Sequence, residues 1–170
     1  LHEKAKEHHS AVLLGIPHPS QTQPERYHNA LVALGEARGI YAKQHLVPFG
    51  EYLPRAFSVL TDWLGLPNAN MMPGEAHQPA VRLNQHPFAT LICYELAYPS
   101  LLRAQLPEAQ FIVSLSDDGW FGHSLAVYQQ LQLAQVLSKQ TGRFQIVSNN
   151  NGLSSLINRN GKITDTLPAF

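Results

Sequence analysis

The sequence predicts a layered α/β domain in which helices cover the sheets. Short, continuously apolar runs that are typical of buried strands, such as AVLLGI (11–16) and FIVSLS (111–116), alternate with amphipathic segments. The longest amphipathic segment is LAVYQQLQLAQVLSKQ (125–140), whose apolar residues recur at helical spacing. Near the end of the chain, Asn160-Gly161 lies between two strand-like runs and indicates a hairpin. Together these patterns favour an α/β fold with sheets packed against helices.

The first half of the chain is predicted to contain a helix end, three strands and a second helix. The basic groups near the end of LHEKAKEHH suit the C-terminal end of a helix, so the chain is expected to begin within one. The turn-rich PHPSQTQPER follows the first strand, and Gly35 and Gly39 mark a tight turn between the second and the third. The predicted strands are AVLLGI (11–16), YHNALVAL (27–34) and IYAKQHLV (40–47), and the predicted helix is RAFSVLTDWLGL (55–66).

The second half is predicted to alternate strands with helices and to end in hairpins. LAYPSLLRAQL is predicted to be a helix, with Pro99 in its first turns, where proline is tolerated. The helix at 125–140 follows the strand at 111–116. The remaining predicted strands are AVRLN and FATLIC, joined at Asn84–Pro87, and then FQIVSN, GLSSLIN and KITDTL.

Composition limits the classes of function. The 170 residues fit a single domain over 1–170, with 44% hydrophobic and only 14% charged residues. Twelve basic residues balance twelve acidic ones, so nothing in the charge balance suggests a general nucleic-acid footprint. No apolar run approaches the ~20 residues that a membrane-spanning helix needs, and Leu1 opens directly into a charged segment, which predicts no signal peptide. The final TLPAF stops inside what should be another element, so both ends, including an edge strand at the front, are expected to be missing.

The cysteine and histidine content argues against disulfides and metal sites. A single cysteine excludes an intramolecular disulfide and a cysteine-based zinc site. The nine histidines are scattered, and the adjacent His8 and His9 would point about 100° apart on a helix, unlike metal-binding pairs. No metal or cofactor is therefore expected.

Cys93 is the first candidate for chemistry. It lies in LICYELAYPSLLRAQL, where an apolar strand ends and a helix begins. A nucleophile at such a junction is exposed, and free N–H groups at the helix start favour a thiolate there. The alternative is a buried cysteine that only fills space. This stretch alone leaves both interpretations open.

Lys43 opens an unusual loop, KQHLVPFGEYLP (43–54). Pro48 and Pro54 stiffen this loop, while Leu46, Val47 and Phe49 are apolar enough to anchor it in the core. Lys43 also follows a strand, and active sites of α/β proteins form where strand ends converge. Its ammonium could stabilise a thiolate and the oxyanion of a tetrahedral intermediate. The alternative is a solvated surface lysine, which the apolar neighbours disfavour.

Carboxylates lie beside both candidates. Glu51 and Glu95 could each pair with Lys43 or orient a leaving group, and buried carboxylates need partners. Glu95 has the alternative of an ordinary first-turn helix glutamate. In SDDGWFG (116–122), the aromatic residues could wall a pocket, and Asp117 or Asp118 could cap the following turn, a role that we assign to Asp118.

Four motifs now point to a family. KQHLVPFGEYLP, LICYE, SDDGWFG and SNNNGLSSLI, in this order and spacing, resemble the carbon–nitrogen hydrolase (nitrilase) superfamily. More narrowly, HLVPFGEYLP and NNNGLSSLI resemble the periplasmic domain of the bacterial apolipoprotein N-acyltransferases. The resemblance covers essentially the whole chain but only part of the family's proteins.

The resemblance implies a fold and a set of site residues. The fold would be a four-layer α-β-β-α sandwich, here incomplete at both ends. Cys93 would be the nucleophile, Lys43 the lysine that stabilises the transition state, and Glu51 a supporting glutamate. Tyr94 and Glu95 would be the neighbours that the family requires beside its cysteine, and the Tyr94 N–H would help to form the oxyanion hole. Trp120 would be a pocket residue.

The resemblance also implies a reaction. The family takes an acyl chain from a phospholipid, holds it as a cysteine thioester, and passes it to the N-terminal amine of a lipidated lipoprotein. The enzyme would lie in the bacterial inner membrane with this domain on the periplasmic face. Two alternatives remain: a soluble amidase or nitrilase with the same side chains, and a non-catalytic binding domain.

One residue of the superfamily's pattern has no match. Its general-base glutamate precedes the lysine, at the end of an early strand, whereas Glu3, Glu7 and Glu25 lie in a helix or a polar turn. The base is therefore expected before Leu1, and the chain alone is expected not to turn over.

Overall fold

The computed structural model describes residues 1–52, 71–122 and 124–167, with the backbone alone at Trp120. The helix predicted over 55–66 lies outside the described residues. Three α-helices are described: α1 (His2–Glu7), α2 (Pro99–Gln105) and α3 (Ala126–Thr141). Two short 3₁₀ helices cover Cys93–Ala97 and Gly119–Phe121. None of the described helices is long and apolar enough to span a membrane.

Ten strands form two sheets. The strands are β1 (Ala11–Pro19), β2 (Tyr27–Gly35), β3 (Ala37–Arg38), β4 (Ile40–Ala42), β5 (Val81–Leu83), β6 (His86–Ile92), β7 (Phe111–Asp117), β8 (Gln145–Asn150), β9 (Ser155–Ile157) and β10 (Ile163–Thr166). The smaller sheet has the order β1-β2-β4, and the larger has the order β10-β9-β8-β7-β6-β5-β3. All predicted strands within the described residues are present, and most boundaries agree within a few residues.

The third predicted strand, IYAKQHLV (40–47), corresponds to β4 and is shorter than predicted. It ends at Ala42 instead of continuing to residue 47. The reason is that the N–H groups of Gln44 and His45 donate to the Glu95 side chain, where a longer strand would direct backbone groups to its neighbour. Lys43 is therefore the first residue of the loop.

The layers follow the order helix, sheet, sheet, helix. Helix α1 packs on β1 and β2 of the smaller sheet. One apolar core lies between the sheets and includes Leu31 and Tyr41 from the smaller sheet and Phe88 and Val113 from the larger. A second core lies between the larger sheet and helices α2 and α3. This arrangement confirms the predicted α/β sandwich.

The larger sheet brings three strand ends together. Strands β6, β7 and β8 are parallel neighbours, connected through α2 and α3. Their carboxyl ends lead to Cys93, Asp118 and Asn150, which places these residues at one edge of the sheet. Candidate sites in α/β proteins lie at such edges.

Candidate active site

Cys93 lies at the sharp turn between β6 and the 3₁₀ helix. Its backbone has φ 52°, in the left-handed region that costs a residue with a β-carbon ~1–2 kcal/mol. Its side chain is only partly buried, which does not fit a fully buried structural cysteine. A strained, accessible residue at a strand-to-helix turn is the usual setting of a nucleophile.

Lys43 is buried and ion-paired. Its side chain is 1% exposed, and Nζ donates to both Glu51 oxygens, Oε1 at 2.9 Å and Oε2 at 2.8 Å. This geometry contradicts the alternative of a solvated surface lysine. An ammonium that has lost its water is a stronger electrostatic group than an exposed one.

The loop of residues 43–52 folds around the Glu51 carboxylate. Glu51 also accepts hydrogen bonds from Asn29 Nδ2 (2.7 Å) and the backbone N–H of Val47 (2.7 Å). Leu46 is buried and anchors the loop. Phe49 is 63% exposed, so the prediction that it packs in the core is wrong. The turn that brings Glu51 N to the Val47 carbonyl (2.9 Å) leaves Phe49 on the outside.

Glu95 joins the lysine loop to the cysteine turn. Its side chain is fully buried, and it accepts backbone N–H bonds from Gln44 (2.7 Å), His45 (3.2 Å) and Ile92 (2.8 Å). The Tyr41 hydroxyl donates to both carboxylate oxygens, at 3.1 and 3.2 Å. Glu95 is therefore more than an ordinary first-turn glutamate: it fixes the segment after Lys43 against the segment around Cys93.

Burial dominates the electrostatics around Glu95. Burial raises the pKa of the Glu95 carboxyl, and the hydrogen bonds from Ile92, Gln44, His45 and Tyr41 oppose this rise. Burial, reinforced by the Glu95 carboxyl, also raises the pKa of the Tyr41 hydroxyl. Tyr41 thus remains a hydrogen-bond donor throughout the physiological pH range.

The capping role assigned to Asp118 is wrong. Asp117 receives the N–H of Gly119 at 3.0 Å, while Asp118 has no capping bond and is fully buried. The Asp118 carboxylate accepts hydrogen bonds from Ser116 Oγ (2.7 Å) and Asn149 Nδ2 (2.5 Å). The chain turns inward at Asp118 because its N–H donates to the Asn150 carbonyl of the neighbouring strand.

Gln130 of α3 is a residue of the site that the sequence analysis missed. One atom of its side-chain amide lies 3.8 Å from Cys93 Sγ, and the other faces the Asp118 carboxylate. Gln130 shares the helical face of Val127, Leu131 and Ala134, which are buried in the core. A polar residue on an otherwise apolar helix face was the signal in the sequence.

Aromatic rings surround the cysteine turn. The Tyr94 ring is 40% exposed and meets Tyr98 edge to face at 5.2 Å between centroids. The His45 ring also packs edge to face against Tyr98, with 4.1 Å between the ring centroids. The oxyanion role of the Tyr94 N–H stays a prediction. The Trp120 side chain lies outside the described residues, so its pocket role also stays a prediction.

The structure thus connects most of the predicted site residues. Lys43 and Glu51 are in direct contact, and Glu95 links their loop to the turn that carries Cys93 and Tyr94. Within residues 1–52, 71–122 and 124–167, no group of three or more His, Cys, Asp or Glu side chains could hold a metal ion.

The whole chain, residues 1–170, matches the model of the carbon–nitrogen hydrolase family. This chain belongs to the carbon–nitrogen hydrolase family.

Curated relatives share the full length of this carbon–nitrogen hydrolase chain. The chain is 39% identical over 171 residues to the apolipoprotein N-acyltransferase of Azotobacter vinelandii, covering 98% of this chain and 33% of that protein. It is 37% identical to the apolipoprotein N-acyltransferase of Coxiella burnetii, covering 99% of this chain and 35% of that protein. The chain therefore spans about a third of the length of these relatives.

Solved structures confirm the nitrilase-type fold. The NitFhit protein of C. elegans has a TM-score of 0.72 at 15% identity, covering 99% of this chain and 42% of its own. A carbon–nitrogen hydrolase from Helicobacter pylori G27 has a TM-score of 0.74 at 13% identity, with 97% and 60% covered. A mutant amidase from Nesterenkonia sp. AN1, with an acetamide group added covalently at its active-site cysteine, has a TM-score of 0.72 at 19% identity, with 99% and 61% covered.

Proposed function

We propose that this chain is the part of an apolipoprotein N-acyltransferase that carries the acyl-transfer chemistry. The observation that carries the proposal is a lysine with 1% exposure, on a loop hydrogen-bonded through Glu95 to the turn of Cys93. Relatives of that name at 39% and 37% identity support the choice of reaction within the family. The acyl donor would be a phospholipid, and the acceptor the N-terminal amine of a lipidated lipoprotein.

The reaction would proceed in two halves. In the first, the Cys93 sulfur attacks the acyl ester carbonyl, the C–O bond breaks, and the lysophospholipid leaves with the proton that the thiol lost. In the second, the acceptor amine attacks the thioester carbonyl, an amide bond forms as the C–S bond breaks, and the proton that the amine loses returns to the thiol. The buried Lys43 ammonium would stabilise the oxyanion of both tetrahedral intermediates, together with the Tyr94 N–H. No cofactor takes part in either half.

Glu51 would hold the Lys43 ammonium in place. Its carboxylate meets Nζ through both oxygens and is itself held by Asn29 and Val47. Because three groups hold the Glu51 carboxylate through four hydrogen bonds and four groups donate to Glu95, neither suits the role of general base. We propose that the base is a carboxylate outside this chain, so the isolated chain does not turn over.

The same reasoning gives the proposed setting. A phospholipid donor and a lipidated acceptor both require a membrane surface, which fits the proposed placement on the periplasmic face of the bacterial inner membrane. Membrane attachment would come from segments other than the helices described in this chain.

Replacing Lys43 by Met in the full-length protein tests the proposal. Loss of a group that stabilises an oxyanion typically lowers turnover by ~10²–10³-fold, so labelling of Cys93 by a phospholipid with a radioactive acyl chain should fall by at least about 100-fold. Lys139→Met changes an exposed lysine of α3 in the same way and should leave labelling unchanged.

Undiminished thioester labelling in Lys43→Met would refute the role of the lysine. Hydrolysis of small amides by the wild-type protein, without acyl transfer from phospholipid, would favour an amidase over the proposed transferase.

A further inference from the structure

A line of polar contacts connects a buried carboxylate to the Cys93 sulfur. Asp118, at the end of β7, is fully buried, and Gln130 of α3 lies between it and Cys93. The nearer amide atom of Gln130 is 3.8 Å from Sγ, within reach of a weak hydrogen bond that involves sulfur. The proposed mechanism gives neither Asp118 nor Gln130 a role, so this arrangement needs a separate explanation.

The surroundings of Asp118 decide which end of the Gln130 amide faces the sulfur. A carboxylate only accepts hydrogen bonds, so an amide oxygen directed at it would place two acceptors together. With its nitrogen directed at Asp118, the amide lies 3.0 and 3.1 Å from the two carboxylate oxygens and 3.2 Å from Ser116 Oγ. The amide oxygen then faces Cys93.

The neutral hydrogen-bond donors around Asp118 also support this orientation of the Gln130 amide. Among the described residues, no cation lies within ion-pair distance of Asp118. The carboxylate is held instead by the neutral donors Ser116 and Asn149. A buried carboxylate without a counter-charge depends on every neutral donor in reach, so turning the Gln130 nitrogen away would leave it short of one.

We propose that Gln130 is a positioning residue for the Cys93 thiol, with Asp118 setting the orientation of the Gln130 amide. The amide oxygen accepts the S–H hydrogen bond and holds the thiol in one rotamer at the edge of the sheet. This inference deepens the proposed function, on which it rests for the importance of the thiol. The contact itself is a property of this chain and is measurable without any acyl substrate.

The contact distinguishes two states of the sulfur. A free thiol has a proton to donate to the Gln130 oxygen, whereas a thioester has none. The contact is therefore made before acylation and lost in the acyl-enzyme. Removing the contact should therefore change the rate at which the thioester forms. It should not change the contacts of the acyl group once that group is bound to the sulfur.

Infrared spectroscopy of the S–H stretch tests the contact directly. Residues 1–170 contain one cysteine, so an S–H band of this chain belongs to Cys93. A hydrogen bond lowers the S–H frequency, so Gln130→Leu should raise it to that of a free thiol. Gln129→Leu makes the same change at the adjacent exposed position and should leave the band unmoved. Coincident bands in wild type and Gln130→Leu would overturn the contact.

Asp118→Asn tests the second half of the proposal. An asparagine of the same shape both donates and accepts, so it no longer forces the Gln130 nitrogen toward position 118. The S–H band should then broaden or move toward the Gln130→Leu position, while a merely structural role of Asp118 would leave it unchanged. An unmoved band in a folded Asp118→Asn variant, with folding checked by circular dichroism, would overturn the orienting role.

A kinetic measurement separates this inference from the proposed function. In the full-length protein, Gln130→Leu should slow formation of the acyl-thioester by roughly two- to fivefold, the value of a weak hydrogen bond donated by a thiol. An unchanged rate would overturn the positioning role. A different outcome is that Gln130→Leu shifts the S–H band while the wild-type protein forms no thioester from phospholipid. That outcome would refute the proposed function and leave the contact between Gln130 and Cys93 supported.

Discussion

Replacing Glu51 by Gln should remove a large part of the free energy of unfolding. Lys43 is 1% exposed and Glu51 is 16% exposed, with Nζ 2.8–2.9 Å from both carboxylate oxygens. The substitution leaves a buried ammonium without its counter-charge, and breaking a buried pair on one side typically costs about 3–5 kcal/mol. A domain of this size has about 5–15 kcal/mol in all, so the loss should amount to about a fifth of that free energy or more.

Urea denaturation followed by circular dichroism measures the free energy of unfolding of Glu51→Gln and of a control variant, Glu108→Gln. Glu108→Gln breaks the Arg82–Glu108 pair, whose atoms are 3.6 Å apart and whose side chains are 47% and 65% exposed. That loss should be about 0–1 kcal/mol because exposed pairs are solvated and screened. A Glu51→Gln loss as small as that of Glu108→Gln would refute the argument that Lys43 depends on Glu51.

Two further predictions concern the cysteine turn. Burial raises the pKa of Glu95 above its ordinary value of 4.5, so the folded chain keeps this proton to higher pH than the unfolded chain. The contribution of Glu95 to stability is thus present below pH 4.5 and falls as the pH rises through the raised pKa. The stability advantage of wild type over Glu95→Gln should narrow over that range in urea titrations at several pH values, and a constant difference would contradict this. The second prediction compares Cys93→Gly with Cys93→Ala. The Gly variant should have a free energy of unfolding about 1 kcal/mol higher, because only Gly adopts φ 52° without cost. Equal free energies of unfolding for the two variants would show that the turn is unstrained.

Much of the fold follows from local sequence patterns. Continuous apolar runs correctly predicted β6, β7 and β8, and Asn160-Gly161 correctly predicted the final hairpin, where Gly161 has φ 74°. The position of Cys93 at the end of β6 also followed from the change from apolar to polar residues. These signals are local, so one sequence suffices to read them.

The partners of the site residues depend on contacts between distant parts of the chain. Asn29 reaches Glu51 from 22 positions away, and Gln130 reaches Cys93 from 37. Nothing local distinguishes such polar residues from solvated ones, unless they lie on an apolar helix face as Gln130 does. The same limitation explains Phe49, whose apolar side chain predicted burial although the tight turn around it directs it to solvent.

The hydrogen bonds of Glu95 come from both sheets. Tyr41, Gln44 and His45 belong to the smaller sheet and its loop, while Ile92 ends β6 of the larger one. Sliding one sheet over the other by even one residue would break most of these bonds at once. The register between the two sheets and the spacing between the Lys43 loop and the Cys93 turn therefore change together, and thermal unfolding of this site should coincide with loosening of the sheet interface.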